Sequence, residues 1–278
     1  MQQPTVSLTP SQVDFFWREG YLRLEQLSTP AEIAGVVAVY DQLFTEMAGW
    51  DEGNAFDLAG TDEEGRPVLP QILGPSRYAP ELRETLYYAN AWQVAQELLG
   101  PEARQGGDHA ILKPAGYGAE TPWHQDEAYW DPTVDYQSLS VWVPLQDATI
   151  ANGCLYFVPG THRLEVLPHH CVGHDPRVHA LELDHLDSPD LQELIGRAVA
   201  CPLPAGGATF HLSRTFHYAP ANATDQPRRA HILGFSTPPK PRTVARDFYW
   251  NTQKRTAREE RRRAWQAQQA EAATAAKG

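Results

Sequence analysis

The periodicity of the chain changes near residue 100, and that change restricts the fold more than any other feature of it. Before the change, two stretches carry helix-start signatures, "TPSQ" at Thr9 to Gln12 and "TPAE" at Thr29 to Glu32. In each, a threonine caps, a proline takes the first helical position, and a glutamine or glutamate is placed to reach back to the cap. The first predicts a helix through "VDFFWRE" that stops at Gly20. The second predicts a longer helix through Val36, Val37, Tyr40 and Phe44, with "YLRL" between them as a short strand. Residues 48–67 are polar and turn-rich and read as loop. A third helix is expected over Pro80 to Leu99, stopped by Gly100 and Pro101.

After residue 100 the chain breaks into short runs of β-type residues: "HAILK", "SLSVWVPL", "GCLYFVP", "AVACPL", "ATFHL", "TFHYA" and "AHILGFST". Turn formers such as "ANG", "PAGG" and "NATDQP" separate them. Helices followed by many short, irregularly joined strands predict a mostly β chain, an antiparallel sandwich or jelly roll with helices packed outside it. One domain is expected over 1–250, with a helical N-terminal part at about 9–100 and a β-core at about 105–240. The segment from His162 to Arg197 is too long for a hairpin turn and rich in His, Pro and Asp, so it reads as an insertion covering one mouth of the sandwich. Residues 251–278 are charged, then Ala- and Gln-rich, and read as a helical tail outside the core.

Length and charge narrow the partners. With 278 residues there is ample chain for a core. The formal net charge of −12 argues against a nucleic-acid binder and against a surface made for anionic lipid. The start "MQQPTVSLTP" has neither a basic nor an apolar leader region, and the three cysteines (Cys154, Cys171, Cys201) form no paired motif. A reducing cytoplasm is the expected location.

The chemistry starts at "TPWHQDEAYW", Thr121 to Trp130. On a strand, His124 and Asp126 share a face while Gln125 and Glu127 point away. They are either polar residues facing water or two of the three ligands of a metal site. If a metal is bound, His217 is the best third ligand, because two imidazoles and one carboxylate form the facial set that suits non-haem Fe(II) and leaves positions open. His211 is its rival. Arg228 lies eleven positions after His217, beyond a turn, where a guanidinium can return to the cavity and grip a carboxylate in a fork. In "SLSVWVPL", Leu139, Val141, Val143 and Leu145 form an apolar face, leaving Ser138, Ser140 and Trp142 for a cavity or, for the tryptophan, plain core packing. Lys113 is either a cavity cation or a solvated edge residue. Trp123, Tyr129, Trp130 and Tyr136 are candidates for the wall of a substrate pocket. His169, His170, His174 and His179, with Cys171, lack the paired spacing of a zinc site.

Three blocks, "WHQDEAYW", "NGCLYFVPGTHR" and "HYAPANATDQPRRA", resemble the signature blocks of the phytanoyl-CoA dioxygenase family, and the likeness runs from about Ser7 to about Ser236. The resemblance implies a double-stranded β-helix, a cupin-like jelly roll, that uses Fe(II), 2-oxoglutarate and molecular oxygen. It implies His124, Asp126 and His217 as iron ligands and Arg228 as the grip on the distal carboxylate of 2-oxoglutarate. Trp142, Gln71 and His109 fall where some relatives contact the co-substrate. One departure stands out: many relatives have a serine two residues after the second ligand histidine, and here that residue is Ala219. Halogenating relatives lack the carboxylate ligand, so Asp126 favours hydroxylation with release of succinate and carbon dioxide. The rivals are a zinc hydrolase on the same three ligands and a silent jelly-roll binding module. The substrate is expected to be a small organic metabolite or acyl compound.

Overall fold

Local signals set the helices, and a computed structural model, which describes residues 2–62 and 65–275, shows how they are used. Thr9 forms a complete capping box: its side chain accepts from the Gln12 backbone, and its own N–H donates to the Gln12 side chain. The helix Pro10–Glu19 then ends at Gly20, whose φ of 86° is open to glycine at no steric cost. Thr29 caps the helix Pro30–Thr45 in the same way, but Glu32 does not reach back. Its carboxylate instead accepts from the backbone N–H groups of Leu86 and Tyr87 at 2.6 and 3.2 Å, the start of another helix. An acidic group is stabilising there because the first amides of a helix have no internal partner. The helix expected over Pro80–Leu99 is broken for a related reason. Pro80–Glu84 is a 3-10 turn, and the extended Thr85 caps a fresh helix, Leu86–Leu99.

Among the described residues, fifteen strands, all antiparallel where they pair, follow the period-two pattern. The larger sheet has seven strands in the order Tyr21–Leu24, Ala208–Leu212, Ser138–Pro144, Arg228–Ser236, Arg104–Lys113, Pro70–Leu73 and Ala55–Asp57. The last lies inside the stretch that the sequence suggests is loop, two residues of which fall outside the described ones. Phe56, 2% exposed, is what anchors it. The smaller sheet runs Val199–Cys201, Leu155–Phe157, His217–Ala219, Thr121–His124.

Alternation sorts the larger sheet into two faces. Leu139, Val141, Val143, Phe210, Leu233 and Phe235 pack against the helices, meeting Tyr40, Tyr87 and Leu98 in the main core. Ser140, Trp142, His211, His109, Gln71 and Arg228 emerge on the other face, into a cavity of about 1030 Å³ that the smaller sheet also borders. A slip of one residue would exchange the faces. The pairings Arg228 with Lys113 and Ile232 with both His109 and Trp142 therefore fix which side chains meet in the cavity.

The segment 162–197 is more ordered than its polar composition suggests. It folds into a hairpin of His169–Cys171 with Leu181–Leu183 and a helix Pro189–Ile195, and His169, Leu181 and Leu183 are fully buried. The expected tail is helical (Tyr249–Gln253 and Ala257–Ala275), though residues 276–278 lie outside the described ones. Its first part is docked rather than free. The Trp250 indole donates to the Ala128 carbonyl, Arg258 Nε to Gly53, and Arg261 Nη2 to Ala55. No helix among the described residues is long and apolar enough to cross a membrane.

Candidate active site

The His-x-Asp motif does not lie within one strand as the spacing suggests. His124 ends the strand Thr121–His124, and Asp126 opens the 3-10 turn Asp126–Tyr129. The turn still brings the two side chains together. His217 starts the neighbouring strand and pairs directly with His124. One ligand atom from each of the three lies within 4.8 Å of the others, and among the described residues this is the one group of three or more His, Cys, Asp or Glu so arranged.

Hydrogen bonds preset the donor atoms. His124 Nδ1 lies 2.7 Å from the Pro122 carbonyl and His217 Nδ1 3.0 Å from that of Thr215. A carbonyl only accepts, so both Nδ1 atoms carry the proton and both Nε2 atoms carry a lone pair. Those Nε2 atoms face Asp126 Oδ1 at 3.6 and 3.4 Å. Asp126 Oδ2 turns away, accepting from the Ser140 hydroxyl at 2.6 Å and from His211 Nε2 at 3.3 Å. His211 thus braces the carboxylate from behind. Burial alone would push the Asp126 carboxyl up, but the imidazoles of His217, His124 and His211 outweigh it and hold the pKa well below the carboxylate range. Burial, with His217 beside it, pulls His124 down and keeps its ring neutral. Two lone pairs and one ionised oxygen on one side, with the other side open to the cavity, are the donor set of a facial iron site.

Arg228 is 1% exposed, and its guanidinium stands 5.3 Å from the Trp142 ring centroid. Its Nε and Nη1 are buried with no hydrogen-bond partner. Burial pulls its pKa down to about 9. Such a cation suits an anionic partner, since desolvated charge is costly when unpaired. Arg229 points to the other face and forms a two-pronged pair with Asp41 at 2.5 and 2.9 Å. Gln71 and His109 line the same cavity, with Gln71 Nε2 and His109 Nδ1 3.5 Å apart.

Other expectations come out differently. Lys113 is neither a cavity cation nor a solvated edge residue: fully buried, it donates to the carbonyls of Ala119, Ala219 and Pro220 at 2.8, 2.9 and 2.7 Å and pins two loops. Tyr129, Trp130 and Tyr136 do wall the cavity, whereas Trp123 stacks on Tyr218 elsewhere. From 162–197 only His179 reaches the cavity. His170 and His174 stack on each other, and His170 faces Glu182 and Asp184. The cysteines are buried and unpaired. What sequence reasoning misses is the C-terminal segment, which supplies Phe248, Tyr249, Lys254 and Arg258 to the cavity wall. Their spacing is that of an ordinary solvated helix, so no local signal marks them.

Comparison with known proteins agrees with this geometry. The family model for phytanoyl-CoA dioxygenase matches residues 16–230. An ectoine dioxygenase of Bordetella parapertussis is 30% identical over 235 residues, covering 80% of this chain and 73% of that protein. A phytanoyl-CoA dioxygenase of Arabidopsis thaliana is 28% identical over 193 residues, covering 57% and 66%. Among solved structures, EvdO2 from Micromonospora carbonacea var. aurantiaca complexed with 2-oxoglutarate superposes with a TM-score of 0.73 at 37% identity, over 90% of this chain and 99% of that one.

Proposed function

We propose, from the premise that this chain belongs to the phytanoyl-CoA dioxygenase family, that it hydroxylates a small organic substrate inside the cavity between its two sheets. The enzyme is a non-haem Fe(II)- and 2-oxoglutarate-dependent dioxygenase, an oxidoreductase. The observation that carries the residue assignment is a single juxtaposition: a His-Asp-His set with its donor atoms preset and a buried, partnerless arginine open into one cavity. We read the two facing antiparallel sheets as the double-stranded β-helix of this family, and the buried free thiols as those of a cytoplasmic protein.

With iron and 2-oxoglutarate bound, the site supplies an oxidising equivalent from oxygen as 2-oxoglutarate is converted to succinate and carbon dioxide. The chain's own part is positioning. His124 and His217 offer Nε2 because Pro122 and Thr215 hold their other nitrogens, and Asp126 offers one oxygen because Ser140 and His211 hold the second. Arg228 receives the distal carboxylate of 2-oxoglutarate, with Trp142 packed against it and Gln71 and His109 beside it. Ala219 adds no hydroxyl, so Arg228 carries more of that grip. A zinc hydrolase would need a carboxylate base beside the metal, and Glu127 is instead turned away into a buried pair with Arg246 at 2.9 Å.

Purified protein given Fe(II), 2-oxoglutarate and oxygen should release succinate, and iron-free protein should not. No succinate above that control overturns the reading. Ser140→Ala should weaken Fe(II) binding about 10- to 100-fold, the usual cost of removing a group that orients a ligand. Anaerobic titration checks it, and wild-type affinity would show that His211 alone fixes Asp126.

A further inference from the structure

The cavity that Arg228 lines also carries a cation that the iron chemistry does not use. Lys254 lies between the helices Tyr249–Gln253 and Ala257–Ala275, is 5% exposed, and lines the cavity. Its ammonium has no hydrogen-bond or ion-pair partner among the described residues. It stands over the Tyr129 ring, 4.6 Å from the centroid. Tyr129 in turn sets its edge against the His124 ring at 6.0 Å, so one tyrosine separates Lys254 from the iron site. Arg258, 9% exposed, lines the same wall; its Nε is taken by Gly53, and its guanidinium rests over Phe56. Glu259 acts on both cations and Asp62 on Arg258, and Asp131 and Asp247 line the same cavity; among the described residues none of these carboxylates is within ion-pair distance of either cation. Burial pulls the pKa of Lys254 down to about 8.

A lysine nine-tenths buried would ordinarily be paired, because withdrawing an ammonium from water is costly when nothing replaces its hydration. A cation–π contact offsets only part of that cost. Lys254 lines the cavity as Arg228 does, and an anion entering the cavity would supply the partner that each cation lacks. We propose that Lys254, with Arg258 behind it, binds an anionic group of the substrate, so that the enzyme acts on a singly charged organic anion whose apolar body lies against Tyr129, Phe248 and Tyr249. One charge suffices, since Glu259 offsets part of the pair. The proposal rests on the dioxygenase reading and adds the substrate class to it. It also gives the docked C-terminal segment a role: it carries an anchor one tyrosine ring from the iron site.

The test uses full-length protein loaded with Zn(II), an inert and diamagnetic substitute, and saturated with 2-oxoglutarate so that Arg228 is occupied. Benzoate and uncharged benzamide are the probes, and ligand-observed NMR gives their dissociation constants. Wild-type protein should prefer benzoate by about tenfold or more. Lys254→Met should lose about 30-fold in benzoate affinity, as expected for removing one partner of a desolvated charge pair. Benzamide and 2-oxoglutarate binding should stay within about twofold, and Lys254→Arg should keep the preference for benzoate. Equal binding of the two probes by wild-type protein, no benzoate binding, or a preference that survives Lys254→Met would each overturn the proposal. Failure of 2-oxoglutarate to bind the zinc-loaded protein would instead overturn the dioxygenase reading on which it rests.

Discussion

Asp126→Ala should lower Fe(II) affinity by more than about 100-fold, beyond the upper end of what removing an orienting partner costs. The substitution deletes the one ionised group of the proposed ligand set and leaves His124 and His217, whose rings stand 4.1 Å apart. Two neutral imidazoles supply too few donors for a facial site and none of the charge that offsets the metal's. His211 is not placed to substitute. Its Nε2 addresses Asp126 Oδ2, on the side away from the two ligand nitrogens, and its Nδ1 is buried without a partner. The fold should survive, because the hydrogen bonds that fix the two histidines come from the backbone of Pro122 and Thr215 and do not depend on Asp126. Anaerobic titration of Fe(II) into both proteins decides it, with circular dichroism as the control for folding. Equal affinity would take Asp126 out of the ligand set.

How much of this is written locally in the chain depends on whether a residue's role is decided by its neighbours in sequence. Thr9 caps its helix as "TPSQ" suggests because every partner lies within three residues. Strand alternation separates Trp142 from Val141 and Arg228 from Arg229 for the same reason: a period of two needs no tertiary information. Glu32 shows the limit. Its sequence context reads as a capping box, yet its carboxylate caps a helix more than fifty residues away, because folding brings the unsatisfied amides of Leu86 and Tyr87 within reach. Ala55–Asp57 becomes a strand only because Pro70–Leu73 offers it an edge. The C-terminal segment is the extreme case. Lys254 and Arg258 have the charge pattern of a solvated helix, and contacts of Trp250 with Ala128 and of Arg258 with Gly53 turn that helix into a cavity wall. The HxD pair is legible as chemistry, but its placement across a strand end and a turn is not, since "QDEAY" has no Gly or Pro to break the strand pattern.

Arg228→Met should do two opposite things: weaken 2-oxoglutarate binding by about 30-fold or more, and raise the thermal stability of the ligand-free protein. The first follows from the pairing proposed for it. Truncating one partner of a buried, hydrogen-bonded charge pair costs about 2–5 kcal/mol, which is roughly 30-fold to several thousand-fold in affinity. Ala219 removes a hydroxyl that could have shared the load. The second follows from what the guanidinium lacks without its ligand. Its Nε and Nη1 have no partner, and burial pulls its pKa down to about 9, so the folded state holds the charged form less readily than the unfolded chain does. That penalty is fully present at pH 7, below the folded-state value, and fades only as pH rises through about 9. Replacing an uncompensated buried charge with an apolar side chain of similar length can stabilise a protein by about 1–4 kcal/mol, and here it should raise the melting temperature by a few degrees. Excess 2-oxoglutarate should reverse the order, since it stabilises only the chain that binds it. Arg229→Met should behave differently in both respects, because that residue faces solvent and Asp41 at the sheet's other side. It should leave 2-oxoglutarate affinity unchanged and shift stability by about 1 kcal/mol or less. Calorimetry on zinc-loaded protein measures the affinities, and melting curves with and without 2-oxoglutarate measure the rest. A loss of affinity without any gain in apo stability would mean that cavity water already solvates the guanidinium. A loss confined to Arg229→Met would reverse the register of the strand and remove the cavity assignment built on it.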